Sequence, residues 1–151
     1  MGDQPGGGRI HITVEFGNNG LGNPGWKTPV LDYLNSILNS KGVHFNDDFV
    51  ANGGIVCGSF AGILPGHSLT TGMTETSMED SCSLTVGAGW VPVVTTHPTL
   101  PQIVFAQRKI HCVDYVVAGD SSHIADHCPG EAVIDAQFLL NISTTRYELR
   151  N

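Results

Sequence analysis

The sequence predicts an α+β fold in a single domain, a mostly antiparallel β-sheet (sandwich or partly open barrel) with one amphipathic helix packed on it. Three observations lead there: an alternating apolar stretch near the N-terminus, one segment with helical spacing and both caps, and a long run of β-rich segments punctuated by glycine and proline. A chain of 151 residues is the usual size of one domain, and neither a repeat period nor a linker divides it. The expected organisation is a flexible glycine-rich N-terminus over 1–8 and one domain over 9–151.

"RIHITVEF", from Arg9 to Phe16, sets Ile10, Ile12, Val14 and Phe16 against His11, Thr13 and Glu15, the period of a half-buried strand. "GNNGLGNPG" follows as a loop, because glycine and asparagine favour turn conformations. Thr28 then offers an N-cap and Pro29 a first helical position. Val30, Leu31, Leu34, Ile37 and Leu38 form one stripe, and Gly42 sits where a C-cap belongs, so a helix is predicted over 29–40.

Beyond it, "GGIVCGSFAGIL" is a glycine-broken, bulged strand, and "GHSLTTGMTETSMED" a polar loop. "SCSLTVGAGWVPVV" and "QIVFAQRKIHCVDYVVAG" are β-rich, the second a hairpin turning at Gln107 to Lys109. "EAVIDAQFLLNI" alternates through Ala132, Ile134, Ala136, Phe138, Leu140 and Ile142 and is predicted as a strand, with a helix starting near Pro129 as its competitor.

A net charge of −7 argues against nucleic acid as a partner, since a phosphate backbone is bound by clustered cations. No apolar run is long enough to span a membrane, and "MGDQPGGG" has neither the basic start nor the apolar stretch of a signal peptide. Only 14% of residues are charged, so hydroxyls and amides must solvate much of the surface, a composition commoner outside the cell.

Cys57, Cys82, Cys112 and Cys128 include no C-x-x-C, which removes the commonest zinc and redox motifs. The favoured pairing is Cys112 with Cys128, closing a loop of about 15 residues worth on the order of 3 kcal/mol, and Cys57 with Cys82. Four reduced, buried cysteines in a cytoplasmic protein are the alternative.

His123 and His127 stand four apart, and with Asp120 they could bind zinc if a short helix carried them. Otherwise no cofactor is expected. Ser121, His123 and Asp114 match a catalytic triad in residue type only, and Cys57 occupies the place of the glycine in a nucleophile elbow, so no catalytic residue is assigned. Trp26 in "PGWKTP" and Trp90 in "AGWVPV" are each framed by glycine and proline. Rings held so, partly exposed, could stack on a sugar or anchor a protein. "NIS" at Asn141 is a glycosylation sequon.

These readings converge on a secreted, disulfide-stabilised, non-enzymatic binding module (an adhesin, lectin, toxin or effector-like domain) with a protein or glycan surface as partner. One alternative is a small metal-dependent enzyme centred on His123 and His127. The other is a self-associating structural subunit, a homo-oligomer that adds its N-terminal strand to a neighbour's sheet.

Overall fold

A computed structural model describes residues 8–14, 24–48, 50, 59–60, 62–77, 81–96, 102–120 and 132–144. The central element is a five-stranded sheet in the order β1 (Arg9–Thr13), β9 (Val113–Ala118), β8 (Ile103–Ile110), β7 (Val91–Thr95) and β4 (Gly62–Ile63). All its pairings are antiparallel except that of β1 with β9, which is parallel. Two small antiparallel ribbons accompany it, β2 (Val43–Phe45) with β6 (Leu84–Val86) and β3 (Ser59–Phe60) with β5 (Thr76–Ser77). The α+β class and the mostly antiparallel sheet are as the sequence predicts.

Each face of the large sheet carries one helix. On the first face, α1 (Pro24–Leu38) joins Leu31 and Leu38 to Val14, Phe45, Trp90, Ala106 and Val117 in one buried cluster. On the second face, α2 (Ala132–Thr144) inserts Phe138 among Leu69, Val93, Val104, Phe105 and Val116. The period of two along β8 and β9 makes this possible: Ala106 and Val117 point to one cluster, Phe105 and Val116 to the other.

The first helix starts four residues before its predicted N-cap. Pro24 takes the first position, and Pro29 is accommodated inside, where it is exposed. Its end is as expected: a 3-10 turn (Asn39–Lys41) leads to Gly42, left-handed at φ 79°, whose N–H donates to Asn39. The buried face is narrower than the predicted stripe. Leu31, Asn35 and Leu38 are buried and Leu34 half-buried, while Val30 and Ile37 face outward. Asn35 has the reason for its burial in view, since its amide both donates to and accepts from the backbone of Phe45 on β2, at 2.9 and 2.8 Å. Leu38→Ala is therefore expected to cost about 2–5 kcal/mol and Ile37→Ala well under about 1 kcal/mol. Urea unfolding of the two variants separates them.

The predicted C-terminal strand is instead α2. Its apolar residues fit either period, and a run of 13 residues with no glycine or proline exceeds ordinary strand length. The β8–β9 hairpin turns later than expected, at His111-Cys112, with His111 in the left-handed region at φ 54°. Arg108 and Lys109, which read as turn residues, stay in the strand opposite Tyr115 and Asp114. Pro92 sits in β7 beside a register shift, which accommodates its missing N–H. At Gly62 a Cβ would stand 2.3 Å from the Thr95 carbonyl oxygen, so only glycine lets β4 close on β7. Residues 1–7 of the predicted flexible segment lie outside the described residues; Gly8 already accepts a hydrogen bond from Asp114.

Candidate functional site

Below the C-terminal end of α2 the second face of the sheet turns polar. Parallel pairing sets Arg9 directly opposite Asp114, and Lys109 flanks Asp114 on its other side. Arg9 Nε donates to Asp114 Oδ2 at 2.6 Å, with the carboxylate side chain 1% exposed. Gln107 Nε2 bridges both oxygens of the same carboxylate, at 2.7 and 2.9 Å. Arg9 Nη1 donates to the backbone carbonyl of Ile142 in α2, and Arg9 Nη2 is buried without a partner. The carboxylate is thus held by an ion pair and amide donors at once, the arrangement that makes a buried charge tolerable.

Two histidines border this network. His11 lies two residues from Arg9 on the same face of β1, its ring tilted 53° against Phe105 at 6.1 Å. Burial holds its pKa below the ordinary value, and the Arg9 guanidinium adds to the effect. His67 is also held below the ordinary value. Burial is the chief cause and Arg9 contributes, while hydrogen bonding to the Gln107 side chain and the Asp114 charge pull the other way. Both rings are poised neutral at physiological pH. The chemistry of the set is structural, since the Asp114 oxygens are committed to donors on β1 and β8.

Trp90 is a core residue: it is 6% exposed, and its indole N–H donates 2.9 Å to the Lys41 carbonyl, which also accepts from Arg108 Nη1. The expectation of a partly exposed ring is corrected, and a buried face cannot stack on a sugar. The Trp26 backbone belongs to α1, and its side chain lies outside the described residues. Asp120 is fully buried just past β9, with its carbonyl accepting from Thr13 Oγ1. His123 and His127 lie outside the described residues, among which no three His, Cys, Asp or Glu side chains converge on a metal position. Asn141 is buried, and its Nδ2 donates to the Leu69 and Thr71 carbonyls at 3.1 and 2.9 Å. That nitrogen is the atom a glycan would occupy, so the sequon is accidental.

The predicted Cys112–Cys128 bridge is corrected as well. Cys112 is an exposed free thiol at the hairpin tip. Its neighbour His111 spends the tight turn, directing Cys112 to solvent. Of the second predicted pair, Cys82 is buried in the first cluster and Cys57 lies outside the described residues.

Two apolar surfaces remain. Val30, Tyr33 and Ile37 are 39%, 68% and 45% exposed and follow one another on α1 at the spacing of a single helix flank, turned away from Asn35 and β2. At the other end of the sheet, Ile63, Leu64, Pro65, Val91 and Pro92 line a shallow groove of about 350 Å³. No helix among the described residues is long and apolar enough to cross a membrane.

The Arg9–Asp114 network has no counterpart in the sequence reading. Alternation placed Arg9 and His11 on one face of β1, but nothing local could pair Arg9 with a residue 105 positions away.

No protein-family model matches the sequence, and no curated protein is similar to it. Among solved structures, the mmIFT52 N-terminal domain is similar, with a TM-score of 0.67 at 16% sequence identity over 95% of this chain and 68% of that one. The secreted, disulfide-stabilised binding module is overturned by these findings together. The bridge it was built on is not formed, its tryptophan anchor is buried, and the likeness in fold is to a domain of mmIFT52. The extracellular location, expected from the low charge and the bridge, is corrected with it: the bridge is not formed and the likeness in fold is to a domain of mmIFT52.

Proposed function

We propose that this domain is a structural subunit that works by protein–protein assembly and self-associates. The observation that carries the reading is the row Val30, Tyr33 and Ile37 on α1. The helix spends one face sealing the first core cluster and offers solvent a second apolar row, with a tyrosine at its centre. Tyrosine is enriched among the residues that dominate binding energy, and an apolar row of this spacing suits helix-on-helix packing. The N-terminal strand offers a second route to self-association, because β1 pairs with β9 on one side and is the edge of its sheet on the other. An exposed free thiol at Cys112 accords with a reducing compartment.

Sedimentation velocity over roughly a hundredfold range of concentration tests the proposal. The wild-type chain is expected to shift to larger species as concentration rises. A Tyr33→Lys/Ile37→Glu double variant, with an unchanged circular dichroism spectrum, is expected to stay monomeric. Wild-type protein that remains a monomer throughout, or a double variant that associates equally well, overturns it.

A further inference from the structure

His67 stands where the second face of the sheet meets the turn that holds α2. It is the N-cap of the 3-10 turn Ser68–Thr70, with extended backbone at φ −79° and ψ 139°. Its Nδ1 accepts the Leu69 N–H at 3.2 Å. The Gln107 side chain lies beside the ring, where hydrogen bonding to it favours a protonated ring nitrogen. Gln107 Nε2 is committed to Asp114, so its oxygen is the atom that faces the imidazole, and His67 Nε2 is the donor. One neutral tautomer therefore satisfies both neighbours.

The turn in turn grips the helix. Leu69 is fully buried in the cluster that surrounds Phe138, and Asn141 of α2 is bound to the carbonyls of Leu69 and Thr71. Thr70 Oγ1 ties the same turn back to the Leu64 carbonyl at 2.8 Å. Protonation of Nδ1 would set an N–H against the Leu69 N–H and remove the cap. It would also add a cation near Arg9, whose Nη2 already lacks a partner.

We propose that His67 is a proton-operated latch on α2: the neutral ring caps the turn that clamps the helix, and protonation at Nδ1 releases the turn and loosens the helix from the sheet. The charged groups facing the ring are Asp114 on β9, which favours the imidazolium, and Arg9 on β1, which opposes it. Lys109 on β8 lies beside Asp114, and His11 on β1 shares the face with Arg9. From α2 the residue bound to this turn is the uncharged amide of Asn141, itself hydrogen-bonded by the amide of Gln137.

The sign follows from burial outweighing the Gln107 and Asp114 contributions, so that the folded pKa lies below that of a free imidazole. The stability that the neutral ring contributes is then present above that value and is lost as the pH falls through the folded pKa. Acid loosens the helix and neutrality restores it.

Heteronuclear NMR from about pH 7.5 to 5 tests this on the intact chain. The His67 ring is expected to titrate with a midpoint below 6.5, and the Leu69 amide and Asn141 side-chain signals to follow the same curve. In His67→Asn the side-chain carbonyl replaces Nδ1 as cap without a titrating proton, so those signals are expected to stay flat. Leu69 and Asn141 signals that ignore the His67 titration overturn the latch. So does a His67→Asn chain whose α2 signals change with acid as the wild type's do.

Discussion

Replacing Asp114 with alanine is expected to destabilise the domain by about 3–5 kcal/mol, among the largest effects any single substitution in it will have. The reason lies in what would be left behind. Arg9 is mostly buried, with its side chain 15% exposed, and Asp114 is its counterion. Removing the carboxylate leaves a guanidinium in a poorly solvated place and strips Gln107 of both its acceptors. The pair itself contributes far less than the loss of one partner implies. An Arg9→Met/Asp114→Leu double variant is therefore expected to recover most of the deficit, as apolar replacements of buried pairs commonly do. Chemical denaturation of the single and double variants measures both quantities; a double variant as unstable as Asp114→Ala would mean that the network specifies the β1–β9 pairing and does not merely compensate its own charges.

Phe138→Ala is expected to cost about 3–5 kcal/mol, and Leu140→Ala less than about 1 kcal/mol. Phe138 is fully buried and meets Phe105 edge to face, with ring centroids 4.6 Å apart. Leu140 is 52% exposed. A strand through this segment would put Phe138 and Leu140 on one face and bury them alike, whereas a helix separates them by 200°. Thermal melts that show two equal losses would contradict the helix.

What the sequence made legible follows the range of the interactions involved. The strand at β1, the C-cap at Gly42 and the strands β6 to β9 rest on local preference and period and are found where expected, whereas β2 and β5 fall in stretches not read as strands. The helical stripe was read too widely, because Val30 and Ile37 look like core residues to any periodic rule and the sheet covers only part of the helix circumference. α2 was misassigned because a segment apolar on most sides carries no clear period. The candidate site was the least legible part. Trp90 earned attention through its glycine and proline neighbours, yet those neighbours shape a core plug capped by Lys41 and Arg108. Arg9, His67, Gln107 and Asp114 come from four separate places in the chain and meet only once the sheet exists.

The parallel pairing of β1 with β9 has a consequence for how the chain comes to be folded. β1 precedes its partner by 105 positions, its ladder running from Arg9–Asp114 to Thr13–Ala118, so β7, β8 and β9 must all be made before it can pair. The β7–β8–β9 meander is held by short-range hairpins and needs no residue from the N-terminus to begin. Closing the long loop between β1 and β9 is a slow, high-contact-order step. Until that step is made the edge of β9 is open, and β1 covers it only after the meander has formed.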